Sequence, residues 1–105
     1  MVVERFRPGC AAEVYRRFRE RGRLAPAGLV YVASWVDLSI TTCYQVMECD
    51  DRRLLDAWTS QWEDLVAFEV IPVMTSAAAG AAMLDREDAT RADHRSKWAQ
   101  QDSNL

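Results

Sequence analysis

Along residues 1–6 apolar and polar positions alternate loosely, and Arg7-Pro8-Gly9 ends the run, so a short strand is expected there. The period then changes. Ala11, Val14, Tyr15 and Phe18 recur at i, i+3, i+4 and i+7, which places them on one face of a helix over residues 10–21. Gly22 sits where a C-terminal cap belongs, and residues 23–28, with Pro26, read as a loop. Residues 29–36 are β-branched and aromatic, and residues 41–49 follow after a short connection, an antiparallel hairpin. Asp50 is a good N-cap for a second helix, and Asp51 adds favourable charge near its N-terminus. Leu54, Leu55, Trp58, Trp62 and Leu65 then fall at helical spacing, and residues 67–74 form the last strand. Residues 76–84 are rich in alanine and predict a short helix weakened at Gly80. From Asp85 the chain is polar, with Trp98 out of keeping in such a tail and suited to docking.

The predicted order is β-α-β-β-α-β, the split βαβ of a ferredoxin-like α+β sandwich, followed by a C-terminal helical extension. In that topology the second and fourth strands lie at the sheet edges. Pro72 agrees independently, because proline cannot donate a ladder hydrogen bond. Both faces of the sheet are expected to be apolar: Tyr31, Ala33 and Trp35 on one side of the second strand, and Val30, Val32 and Val36 on the other. In the fourth strand Phe68 and Val70 oppose Ile71 and Val73. Two helices cover one face of four strands. A homodimer stacking its sheets into a dimeric α/β barrel would cover the other, and the alanine-rich segment is the competing cover.

Length sets one domain over residues 1–84 and a polar tail over 85–105, mobile or partly helical. The chain is half hydrophobic and holds four tryptophans, which excludes general disorder. No apolar run approaches a membrane helix and charge falls where a signal peptide would be apolar, so a cytoplasmic protein is expected, with no membrane partner. Cys10, Cys43 and Cys49 match no zinc or redox spacing and read as reduced thiols. The net charge of −3 conceals an asymmetry: residues 4–23 carry seven arginines against three acids, whereas residues 37–69 carry two arginines against eight acids. The basic first helix reads as a solvated face or as a surface for an acidic partner. No RNA-binding aromatic signature accompanies it and the pI is about 5.1, so no nucleic-acid partner is expected.

Trp35, the run Tyr44-Gln45-Val46-Met47-Glu48-Cys49-Asp50, and Leu55, Trp58, Trp62, Asp64-Leu65, Phe68-Glu69-Val70 and Pro72-Val73 resemble a bacterial family known as a domain of unknown function, number 3303 in its series. The resemblance covers about residues 1–74 and is strongest over 44–73. It implies a ferredoxin-like, dimeric α/β-barrel-like fold and brings no activity with it.

Dimeric barrels of this architecture often hold a small hydrophobic molecule, and some related folds are cofactor-independent monooxygenases, haem enzymes or isomerases; fold alone does not choose among them. His94, the only histidine, falls in the tail, which removes Ser-His-Asp and Cys-His pairings from the core. It also leaves no expected metal site or haem ligand, and no glycine-rich phosphate loop is present, so no cofactor is expected. The candidate catalytic groups are two strand carboxylates: Glu48, on a face with Tyr44 and Val46, and Glu69, on a face with Ile71 and Val73. Apolar neighbours would raise the pKa of either toward neutrality; a solvated or arginine-paired carboxylate is the plainer reading. Trp58 and Trp62 read as helix-to-sheet packing, and Trp35 as a cavity wall, an interface residue or core. Three functions stand open. One is a homodimer binding a small apolar or amphipathic molecule against Tyr31, Trp35, Tyr44 and Glu48. The second is a cofactor-independent monooxygenase- or isomerase-like enzyme using Glu48 or Glu69, and the third a structural or regulatory dimer meeting an acidic partner through residues 16–23.

Overall fold

The computed structural model describes residues 1–90, so His94 and Trp98 lie outside the described residues. The elements run β1 (Val2–Phe6), α1 (Ala11–Arg21), β2 (Val30–Val36), β3 (Thr42–Glu48), α2 (Arg52–Ser60), β4 (Val66–Val70) and α3 (Ser76–Thr90). The four strands form one antiparallel sheet in the order β2-β3-β1-β4, which puts β2 and β4 at the edges. The chain divides into two units, Met1–Pro72 and a second that begins at Val73.

In the first unit, side chains of α1, α2 and the turn after α2 pack on one face of the sheet. Val2, Val14, Leu29, Trp58, Trp62, Leu65 and Val66 form the core there, with Phe6, Met47, Leu54 and Phe68 packed against it. Trp58, almost wholly buried, meets the Phe68 ring at 5.9 Å. The N-cap of α2 is Asp51 and not Asp50: its carboxylate accepts from the Arg53 backbone N–H at 2.9 Å. The helix stops at Ser60, and the chain goes on through Trp62 in tighter turns, with the Trp62 N–H bonded to the Thr59 carbonyl at 2.9 Å. That tightening keeps Trp62 beside Trp58 while turning the chain toward β4.

Three boundaries differ from expectation. β4 ends at Val70, so Pro72 lies beyond the strand and not within it. The last main-chain pair joins Ile71 to Met1, each N–H donating to the other's carbonyl at 2.7 Å, and Pro72, lacking an N–H, follows directly. β2 carries a bulge. Tyr31 pairs with Met47 and Ala33 with Val46, leaving Val32 as the extra residue. A one-residue insertion sends Tyr31 to the opposite face from Ala33 and Trp35, so the expected set Tyr31, Ala33 and Trp35 does not share a face. Finally, α3 runs to Thr90, past the expected stop at residue 84; Thr75 opens it, its hydroxyl accepting from the Ala78 N–H at 3.0 Å.

Candidate functional site

The site begins in β1. Val2, Glu4 and Phe6 alternate onto the helix-covered face, which puts a carboxylate in the middle of a central strand between two apolar neighbours. In β3 the same face carries Cys43, Gln45 and Met47. The register pairs Glu4 with Cys43 and Val2 with Gln45, making Glu4 and Gln45 diagonal neighbours that long side chains can bridge. Glu4 is 8% exposed and Gln45 is 2% exposed. The Gln45 amide N–H donates to Glu4 Oε2, and the Arg23 guanidinium donates through Nη1 to Gln45 Oε1. The result is a chain Arg23→Gln45→Glu4. The amide separates cation from carboxylate, and Glu4 Oε1 accepts no hydrogen bond from the described residues.

Arg23 is held by an unusual piece of backbone. Its neighbours Gly22 and Leu24 have φ of 73° and 64°. The left-handed region suits glycine but strains a leucine. The Arg23 carbonyl accepts two hydrogen bonds, from the indole N–H of Trp58 and that of Trp62, each 3.0 Å long. The two tryptophans at i and i+4 therefore pack the core and also clamp the segment that aims Arg23. Its guanidinium lies 5.1 Å from the Phe18 ring centre and 3.8 Å from that of Tyr31, while the Tyr31 hydroxyl shares a 2.8 Å hydrogen bond with Ser34.

These groups line a cavity of about 200 Å³ between α1 and the sheet. Its apolar wall is Phe6, Val14, Tyr15, Phe18, Val36, Trp58 and Trp62; its polar wall is Glu4, Arg23, Ser34, Cys43 and Gln45. Phe6 and Tyr15 meet edge to face at 6.0 Å. Tyr15 and Phe18, on the one apolar face of α1 that their spacing predicts, are 45% and 42% exposed, which carries the cavity to the protein surface.

The electrostatics follow from burial. Loss of solvent pushes the Glu4 carboxyl up to about 7, against the opposing pull of the Gln45 hydrogen bond and the Arg23 charge. Burial, and then the neighbouring Glu4 charge, push the Cys43 thiol up to about 11, so Cys43 stays protonated. The Tyr15 hydroxyl is also raised, by burial first and then by Cys43, Glu4 and Asp37. Near neutral pH the Glu4 carboxyl is thus the one cavity group poised between its forms, able to accept or donate a hydrogen bond through Oε1.

The residues singled out from sequence are divided between two places. Tyr31 shares the helix-covered face but does not itself line the cavity; it touches the lining only through Arg23, whose guanidinium lies over its ring. Trp35 and Tyr44 are cross-strand partners on the opposite face, 59% and 42% exposed. Glu48 is on that face too, paired with Val30 at the far end of the hairpin and exposed. Glu69 is exposed there and bonded to Arg5 at 3.0 Å. Neither carboxylate lines the cavity. Sequence reasoning missed Glu4, Gln45 and Arg23; the available signal was a carboxylate flanked at i−2 and i+2 by Val2 and Phe6 in a strand that turns out to be central. Of the basic segment, Arg16 bonds Glu13, Arg17 makes a two-point contact with Asp64 at 2.9 and 2.7 Å, and Arg23 turns inward.

Cys10, Cys43 and Cys49 are all free thiols. Among the described residues no group of three His, Cys, Asp or Glu side chains is placed to hold a metal ion, and no helix is long and apolar enough to cross a membrane. No curated protein and no solved structure matches the chain. One family does, over residues 1–87, which takes in most of α3 as well as the stretch of about residues 1–74 that carries the resemblance. The chain belongs to that family, the domain of unknown function DUF3303.

Proposed function

We propose that this protein binds a small, mostly apolar molecule with one polar end, seated in the cavity between α1 and the sheet with its polar end against Glu4. The observation that carries the reading is Glu4 Oε1: a carboxylate oxygen without a partner among the described residues, on a side chain 8% exposed, beside an aromatic-walled cavity. A buried polar atom left unpaired costs free energy, and a ligand donor or carbonyl would relieve that cost. Size bounds the ligand. An apolar cavity of about 150 Å³ accommodates benzene, so about 200 Å³ suits one or two fused rings with a single polar group.

The protomer, on this reading, is ferredoxin-like and works as a homodimer joined through the face of the sheet opposite the cavity. Exposure of Val30, Trp35 and Tyr44 on that face supports a second copy as the cover. A regulatory role through the basic helix has less support, because Arg16, Arg17 and Arg23 have partners inside the chain.

Two measurements test the two halves. Native mass spectrometry of the protein as purified is expected to give a dimer with a small adduct, and calorimetric titration with indole is expected to give one site per protomer that is lost in Phe18→Trp, which fills the cavity. A protein that binds neither indole nor any co-purified molecule would sink the cavity reading. Trp35→Lys is expected to yield monomers by sedimentation velocity; a monomeric wild type would remove the dimer and leave the cavity intact.

A further inference from the structure

We propose that Glu4 is a catalytic residue, a general base that takes a proton from carbon in a small ring-bearing ketone seated in the cavity, with Arg23 receiving the charge that develops on the carbonyl oxygen. The proposal rests on the cavity reading above and adds a reaction to it.

Three features of the geometry lead there. The base is oriented and left free. Arg23 fixes the Gln45 amide by binding its oxygen, so the Gln45 N–H is aimed at Glu4 Oε2, and Oε1 remains for the substrate. Next, the cation is in the same cavity but not on the base. A direct Arg–Glu pair would hold the carboxylate ionised and weakly basic, whereas the intervening Gln45 leaves Glu4 basic and keeps Arg23 available at the wall. Last, the Arg23 carbonyl is pinned by two tryptophan N–H groups beside a leucine held in the left-handed region, so its position is set before substrate arrives. A group that merely completes a core needs none of this arrangement.

The step balances without a co-reactant. Glu4 Oε1 takes the proton from the carbon next to the carbonyl, and the C–H electron pair moves to form the enolate. Its oxygen accepts a hydrogen bond from the Arg23 guanidinium, and the proton on Glu4 returns to the same carbon or to a conjugated one. Once the proton held by Glu4 has been traded for a solvent deuteron through the open side of the cavity, delivery to the same carbon is exchange; delivery to a conjugated carbon is a double-bond shift. The substrate class is therefore a small enolisable aryl or cyclic ketone.

The pH dependence belongs to Glu4. The titratable or charged groups facing it are Tyr15 from α1, Arg23 from the following loop and Cys43 from β3; α2, the turn after it and β4 present Trp58, Trp62 and Phe68, which do not titrate. Tyr15 and Cys43 are both shifted upward, away from neutrality.

The test uses 2-indanone in deuterated buffer with the full chain. Binding is read by saturation-transfer NMR, and loss of the ring CH₂ proton signals reports exchange. Wild type is expected to accelerate exchange over buffer, with a rate that rises to a plateau about a midpoint near 7. Glu4→Gln is expected to slow the bound exchange by at least roughly 100-fold. Arg23→Met is expected to slow it by a comparable factor with saturation transfer retained. Bound 2-indanone that exchanges no faster than in buffer, or Glu4→Gln exchanging at the wild-type rate, would overturn the catalytic role while leaving binding in place. Absence of saturation transfer would instead overturn the cavity reading and this inference with it.

Discussion

Glu4 ties the site to global stability, and the connection has a sign. In the unfolded chain its carboxyl titrates at the ordinary 4.5, and in the folded chain at about 7. Between those values the native state holds a proton that the unfolded state has released, so unfolding becomes easier as pH rises. Glu4's contribution is fully present below pH 4.5 and is lost as pH climbs through 7. One pKa unit corresponds to about 1.4 kcal/mol, so the loss between pH 5 and pH 8 works out at about 2–3 kcal/mol. Glu4→Gln keeps the shape and the hydrogen-bonding capacity while removing the titration. The assay is urea denaturation of both proteins at pH 5, 6, 7 and 8, comparing the wild-type-minus-variant difference so that other titrations cancel. That difference is expected to move against wild type by about 2–3 kcal/mol over the range, most of it below pH 7. A difference constant to within about 0.5 kcal/mol would show that Glu4 is not desolvated. It would refute both the electrostatic account of the cavity and the basis for Glu4 as a base.

Other consequences can be checked alongside. Trp58→Phe and Trp62→Phe each remove one indole donor from the Arg23 carbonyl, at about 1 kcal/mol for the bond. The double variant, which orphans that carbonyl, is expected to cost more than the sum of the singles in urea denaturation. Cys43, buried and with its thiol pushed up to about 11, is expected to react with a thiol reagent only on unfolding, after Cys10 and Cys49. Mass mapping of the labelled peptides gives the order. Glu48→Gln and Glu69→Gln are expected to leave indole binding unchanged and thermal stability within about 0.5 kcal/mol, since both carboxylates are exposed and lie away from the cavity. A tenfold loss of binding in either would reinstate them as site residues.

Most of the architecture was legible in the residues because period and punctuation are local. The 3.6-residue spacing of Val14, Tyr15 and Phe18 and the β-branched runs of β2 and β3 act over a few positions, and the Asp50-Asp51 pair marked the start of α2 to within one residue. β4 is an edge strand as expected, but proline at 72, expected within it, lies beyond its end and so is not what makes it one. The β2 bulge was not legible. Nothing in Val30-Tyr31-Val32-Ala33 announces that one residue will be left over, yet that single insertion decides which face Tyr31 serves. The site was illegible for a related reason. Glu4, Arg23 and Gln45 are far apart in sequence and each, alone, reads as an ordinary polar residue. Only the antiparallel register of β1 with β3, and a loop held in the left-handed region at Leu24, bring them into one chain of hydrogen bonds.

Stability and function make opposite demands on this cavity, which supplies the most direct way to separate a binding site from a structural network. If Glu4 and Gln45 existed to hold the sheet together, replacing both would cost several kcal/mol, as removing a well-satisfied buried network does. If they exist for a ligand, the carboxylate is a liability in the free protein: it is desolvated, half ionised at neutral pH, and one oxygen has no partner among the described residues. Replacing a buried polar set by apolar residues of similar size is often neutral, or stabilising by about 1–4 kcal/mol, whereas removing one member alone strands the other. Glu4→Leu/Gln45→Leu leaves the half-exposed Arg23 guanidinium to water and to the Phe18 and Tyr31 rings; it is therefore expected to equal or exceed wild type in urea denaturation at pH 8, and to lose indole binding by at least about tenfold, the worth of a single charged hydrogen bond. Glu4→Leu alone, which leaves the Gln45 N–H buried without an acceptor, is expected to be less stable than the double variant. A double variant several kcal/mol less stable than wild type would mean that the polar chain is a structural brace, and that the cavity beside it is only a packing defect.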